Sequence, residues 1–290
     1  MKAFVDWLLA QRQRLVIVAV VAAPLLPIVS AALIALETAR RGVPAGLVSA
    51  VAAVGGLALL AVLSRTDLAM FAAIGTVSMG SGVIVGALLQ RAGNLAFAFQ
   101  ATVLACYVLV AAFGLLGPDP QALFAPVLRE FEVVLRAPEY TDAEVAEVMG
   151  QLALLLPAVT VFSSLVGALL LGYWWYTLAS GERRFAAEFR RLKLGRWLGA
   201  VATVSVALGL VFSAPLVQNL TPLAWLAFLF QGLAVVHAWA HARRWHPGLL
   251  VLLYLLLMLP PLTVLVMLPL SIVGLVDNWL NLRTQLRSEA

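Results

Sequence analysis

An all-α, polytopic bundle of membrane-spanning helices is what this sequence encodes, and two observations carry that reading. Hydrophobic residues make up 63% of the 290-residue chain and charged residues only 11%. A soluble domain carries roughly 25% charged residues, so a globule of this composition could not cover its surface with polar groups. The second observation is that apolar runs of bilayer length recur along the whole chain. Crossing the hydrocarbon takes about 20 apolar residues as a helix. The runs are Leu15–Leu36, Gly46–Leu63, Leu68–Leu89, Leu95–Leu116, Leu152–Leu178, Trp197–Val217, Leu223–Ala240 and Gly248–Val276. They are continuous rather than alternating, which specifies helices and excludes a barrel. No large soluble stretch is left over, so residues 1–290 form a single membrane domain.

The first and last runs each carry paired prolines, Pro24 with Pro27 and Pro260 with Pro261. Proline lacks a backbone donor and clashes with the preceding turn. The expectation is therefore either eight plain spans, or six full spans plus two Pro-broken segments that enter and return. Lysine and arginine orient the chain, because they concentrate on the cytoplasmic side. With Gly181–Arg196 inside and both broken runs returning, only Arg65, Arg129 and Arg136 of the 19 lysines and arginines fall outside. Both termini are then cytoplasmic. Pro24, directly after small residues, is a poor residue to follow a cleavage site, so the first run is expected to stay as an anchor.

Three connections are informative. Residues 118–150 form the long polar stretch, with Asp119, Glu130, Glu132, Glu139, Asp142, Glu144 and Glu147 against Arg129 and Arg136. Leu123, Phe124, Val127, Leu128, Phe131 and Leu135 follow helical spacing. Pro138 ends that helix, and Thr141 with Glu144 makes a capping-box pattern for the next. An extracytoplasmic acidic helical hairpin is the expectation. Residues 181–196 carry Arg183, Arg184, Arg190, Arg191, Lys193 and Arg196 beside an apolar stripe of Phe185, Phe189 and Leu192. Such a stretch is expected as a basic helix lying in the cytoplasmic headgroup region against anionic lipid. The third connection is His241–His246, with Arg243 and Arg244.

Few residues suggest chemistry. Cys106 stands alone, so there is neither a disulfide framework nor a cysteine-based zinc site. His237 and His241 share a helical face, with His246 and Asp277 as further ligands for a metal, but an interfacial histidine beside arginines needs none, and no metal is assigned. Asp277 is read as pairing with an arginine such as Arg283 and stopping the last helix. Glu37 can pair with Arg40 and Arg41 along its own helix. Gly82 and Gly86 form a GxxxG pair that favours close helix crossing within the bundle. Gln100 and Gln231, with Ser81, are the candidates for lining a ligand cavity. No Walker A loop, HExxH, paired intramembrane aspartates or GxSxG motif is present, so the chain is expected neither to hydrolyse ATP nor to be an enzyme. The basic residues sit beside apolar spans, which points to lipid rather than nucleic acid, and no cofactor is implied.

Three stretches carry a resemblance. They are Pro24-x-x-Pro27 followed by Ala31–Gly46, the segment Phe185-x-x-Glu188-Phe189-Arg190-x-Leu192-x-Leu194-Gly195-Arg196, and the C-terminal Gly274-Leu-Val-Asp277-Asn278-Trp279-Leu-Asn281-Leu-Arg283. Together they resemble the YybS-like bacterial membrane proteins. These in turn are similar to the S-components of energy-coupling-factor vitamin transporters. The resemblance implies a bacterial cytoplasmic membrane location and a helical bundle with a small-molecule cavity opening outward. It also implies membrane partners that supply energy. Small residues four apart on the first helix contact the coupling subunit in that family, which makes Ala31, Ala35 and Ala39 the expected docking face. The alternative is a non-catalytic scaffold or assembly protein with no ligand cavity.

Overall fold

The structure is a computed structural model that describes residues 2–65, 68–135 and 141–284, and among them every regular element is a helix. Among the described residues, six helices are long and apolar enough to cross a membrane. Contacts divide the chain into two compact units: Met1–Thr102 with Ser163–Lys193, and Val103–Phe162 with Leu194–Ala290.

The first unit begins with α1 (Lys2–Ala10), α2 (Arg12–Ala22) and α3 (Pro27–Arg41). The expected break is present. The chain turns between Ala22 and Pro27, and Pro27 opens α3 at the first position, where its missing N–H costs nothing. Helix α3 runs back along α2. Ser30 Oγ donates to the Ala19 carbonyl near the turn, and Arg12 Nε pairs with Glu37 Oε1 at 3.3 Å at the far ends. Helices α4 (Val43–Ser64) and α5 (Leu68–Ala92) follow, with the start of α6 (Leu95–Leu116), the end of α9 (Asp142–Ala179) and the stretch after it to Lys193 completing the unit.

Every residue of α3 from Ser30 to Thr38 is buried. A helix buried all round must have close neighbours, and small residues provide them. A Cβ on Gly82 would meet the Ala31 carbonyl, and one on Gly86 would meet the Ala35 carbonyl at 2.7 Å. Gly172 of α9 sits 3.2 Å, by the same measure, from Ala35 Cβ. Two residues of the Ala31, Ala35 and Ala39 stripe expected to dock a partner are thus packed inside this unit, while Ala39 is half-buried. Ala31 and Ala35 have no exposed surface, because α5 and α9 occupy the face meant for a partner.

The second unit contains the rest of α6, then α7 (Pro120–Leu123), α8 (Ala125–Leu135) and the first part of α9. Thr141 N–H donates to Glu144 Oε2 at 2.8 Å and Glu144 N–H to Thr141 Oγ1 at 3.3 Å, the reciprocal capping box. Arg136, Pro138 and Glu139 lie outside the described residues, as does Arg287. At 38 residues α9 is about 57 Å long, nearly twice the hydrocarbon thickness of about 30 Å. One end must therefore stand clear of the membrane, and Asp142, Glu144 and Glu147 mark it as the N-terminal end.

The unit ends with α11 (Gly195–Val211), α12 (Pro215–Ala242), α13 (Pro247–Met258) and α14 (Pro260–Leu280). Two boundaries differ from expectation. The run Trp197–Val217 is not one helix: Phe212 is extended and Pro215 starts α12, since the residue before proline avoids helical backbone. The last run breaks at extended Leu259 as expected, but its second half, Leu262–Leu280, is long enough to span. Six long helices remain, with a changed membership. In the first unit, α10 (Phe185–Phe189) is only five residues of the continuous 181–196 helix expected. Phe189 and Leu192 are buried instead of facing lipid.

Candidate functional site

Two polar constellations and one cleft stand out. The first constellation closes the end of α14. Asn281 adopts a left-handed conformation at the C-cap (φ 52°), which turns the chain into a short 3-10 turn over Leu282–Thr284. Arg283 thereby folds back over fully buried Asp277. Its Nη2 donates to Oδ2 at 2.6 Å and its Nε to Oδ1 at 3.2 Å, a two-pronged pair of the kind a guanidinium favours. The pairing expected from the sequence is present.

Gln231 of α12 extends this network. Its Nε2 donates to Asp277 Oδ2 at 2.8 Å, and its Oε1 accepts the Leu194 N–H at 3.0 Å. Asn278 Nδ2 donates to the Gly195 carbonyl at 3.2 Å. Leu194 directly precedes α11, so its N–H has no helical acceptor and would otherwise be orphaned. Gln231, a ligand candidate in the sequence, therefore holds backbone.

The second constellation is in the first unit. Glu188 Oε2 accepts from Tyr173 Oη at 2.9 Å and from the Leu95 N–H at 2.7 Å, fixing the start of α6. Gln100 Nε2 donates to the Lys193 carbonyl at 2.8 Å, so this second ligand candidate also holds backbone. Ser81 is buried on α5. Of the basic residues, Arg183, Arg184 and Arg191 are exposed, while Arg190 and Lys193 are half-buried. Arg184 pairs with Glu182 and Glu188.

Glu37, fully buried, binds Arg41 Nη1 at 3.0 Å as well as Arg12. Its partners are 39% and 41% exposed, so they can turn to water if the carboxylate is lost. Glu37→Gln is therefore expected to cost only about 1 kcal/mol, within the range of exposed pairs. A thermal-unfolding series in detergent checks this.

Two of the histidines make local contacts. His237 lies with Nδ1 2.9 Å from the Leu233 carbonyl and Nε2 3.2 Å from Tyr254 Oη. His246 Nδ1 caps α13 by accepting the Gly248 N–H. Among the described residues no three histidine, cysteine or acidic side chains are grouped to hold a metal ion.

The cleft lies between α7, α8 and the N-terminal end of α9. It is open, about 620 Å³ in volume, and lined by Gln121, Leu128, Arg129, Glu132, Asp142, Val145, Ala146 and Met149 among others. That volume falls within the roughly 300–1,000 Å³ of small-molecule sites, and the mixture of apolar wall and a few polar groups is typical of them. The sequence showed these residues only as charges on a hairpin. The signal that could have found the cleft is the two-sidedness of α8, whose Leu128 turns inward while Glu132 and Arg129 flank it.

Residues 135–278 match the family described as "Predicted membrane protein (DUF2232)". The match takes in Gln231, Asp277 and Asn278 and stops before Arg283. No curated protein and no solved structure matches the chain. Composition, helices and family match together make this a multi-pass membrane protein.

Proposed function

We propose that the protein is a non-enzymatic small-molecule binding component of a membrane transport system, taking its ligand in the α7–α8–α9 cleft. The cleft carries the reading: it has the size and the mixed lining of a ligand site. The resemblance of the 24–46, 185–196 and 274–283 segments to S-component-like bacterial proteins supports it. In this reading the protein sits in a bacterial cytoplasmic membrane, the cleft faces outward, and both termini are cytoplasmic. Within the first unit, the pairing of Arg12 with Glu37 returns the α2–α3 hairpin to the face where α2 begins, as that orientation requires. Energy would come from partner subunits.

The test is purification from native membranes followed by mass spectrometry of bound small molecules. Wild-type protein is expected to retain a stoichiometric metabolite. Ala146→Trp, at an exposed cleft position, is expected to reduce that occupancy at least ~10-fold, the equivalent of about 1.4 kcal/mol. Retention at the wild-type level by Ala146→Trp would place the ligand elsewhere. No metabolite in either would favour the second reading, a scaffold. That reading has its own observation: Gln100, Gln231 and Asp277 all hold backbone or an arginine within their own units.

A further inference from the structure

We infer that α8 lies along the membrane–water boundary, with Leu123, Val127 and Phe131 seated in lipid acyl chains. The cover of this helix face is the bilayer itself. Val127 and Phe131 form a row one turn apart on α8, preceded by Leu123 at the end of α7, and the three are 44%, 45% and 51% exposed. The neighbouring Leu128 is buried on the side toward α9, so the row is a second apolar face rather than the one that packs the hairpin. Exposed apolar side chains clustered this way would be an aggregation liability in water.

Chain continuity identifies what covers it. Helix α6 ends on Leu115 and Leu116, which are exposed as lipid-facing residues of a spanning helix are. Only Gly117, Pro118 and Asp119 separate that end from α7. Asp119 caps α7 by accepting the Gln121 N–H at 3.0 Å, which turns the chain at once into the next helix. Leu123 is thus tethered close to the level where α6 leaves the hydrocarbon. An amphipathic helix at that level buries its apolar side about 5–10 Å into the boundary between headgroups and chains.

Charge sets the kind of lipid surface. Asp119, Glu130, Glu132, Asp142, Glu144 and Glu147 outnumber Arg129 here, so attraction to anionic headgroups cannot hold the helix down. The apolar row must do so, and a zwitterionic phosphatidylcholine surface is sufficient. The inference is independent of whether the cleft on the other side of α8 is filled.

The experiment uses full-length protein in phosphatidylcholine nanodiscs. Single cysteines at Val127→Cys, Phe131→Cys and Glu130→Cys carry an environment-sensitive fluorophore. Cys106 is buried, so wild-type protein serves as the blank. Phosphatidylcholine bearing a nitroxide near the headgroup end of its acyl chain is expected to quench the labels at 127 and 131 at least ~3-fold more than it quenches the label at 130, with aqueous iodide showing the reverse order. Iodide quenching of all three labels alike would overturn the inference. So would protection of 127 and 131 from both quenchers, which would put protein, such as a second copy of the chain, on this face. Hydroxyl-radical footprinting of the unmodified protein gives the same answer without variants. Oxidation of Phe131 is expected to be suppressed in nanodiscs relative to the mildly delipidated protein, and Phe131 oxidised as fast in nanodiscs as after delipidation would contradict the placement.

Discussion

Gly274→Val is expected to abolish recovery of folded protein, and Gly232→Ala to destabilise it severely. The two glycines face each other where α12 and α14 cross. A Cβ on Gly274 would meet the Phe228 carbonyl, and one on Gly232 would meet the Leu270 carbonyl. In both cases the obstacle is backbone, which cannot swing away as a side-chain tip can. Overpacking of this kind costs about 1–3 kcal/mol even where the surroundings yield, and more where they do not. Lipid offers no compensating hydrophobic drive between helices, so their association depends on close approach. The controls are Gly80→Ala and Gly150→Ala, where an added Cβ meets nothing within 4 Å. Exchanging glycine for alanine in a helix gains up to about 1 kcal/mol, so both controls should be neutral or stabilising. Monodisperse protein after a heating series in detergent is the measure. A Gly274→Val protein as heat-resistant as Gly80→Ala would refute the crossing.

Asp277→Asn is expected to cost about 3–5 kcal/mol, the range for breaking a buried ion pair by removing one partner. Arg283 is only 17% exposed, so its charge cannot simply return to water as those of Arg12 and Arg41 can. Asp277 also accepts from Gln231, which in turn holds the Leu194 N–H, so the loss reaches from the end of α14 to the start of α11. Replacing both ions, as Asp277→Leu with Arg283→Met, should recover most of the stability, because the unpaired charge is gone. One unmet donor on Gln231 then remains, worth about 1–3 kcal/mol. Thermal unfolding of the single and double variants decides between this and a surface pair, for which the single variant would shift stability by less than about 1 kcal/mol.

The architecture was largely legible because lipid demands long apolar runs and proline leaves a clear mark on them. Paired prolines announced both broken runs, and Thr141 with Glu144 announced the start of α9. Asp277 was costly enough at membrane depth to demand a partner, and Arg283 supplied it. The end of α11 was missed because Phe212, Ser213 and Ala214 do not interrupt hydropathy, and only Pro215 marked the boundary. The five residues of α10 were overread for a different reason. Arg183 to Arg196 has the periodicity of a surface helix, but Phe189 and Leu192 are drawn inward and the backbone after them is held by side chains distant in sequence.

The small-residue seam shows where a sequence stops being informative. Ala31 and Ala35 on one side, and Gly82 and Gly86 on the other, were each visible as stripes. Nothing in either stripe names its partner, because close packing of small residues has no directional chemistry. The candidate site suffered the same way. Gln100 and Gln231 were singled out as polar residues at membrane depth, but the backbone groups they serve, at Lys193 and Leu194, become needy only when the chain folds.

The orientation that puts the cleft outside and both chain ends inside is the claim on which the functional reading depends. Labelling with a membrane-impermeant thiol reagent in intact cells tests it, using Gln121→Cys in the cleft and Ala3→Cys on α1 in separate full-length proteins. Labelling at position 121 without permeabilisation, and at position 3 only after it, is the expected result. Prompt labelling at position 3 with position 121 protected would contradict it and place the cleft on the cytoplasmic side.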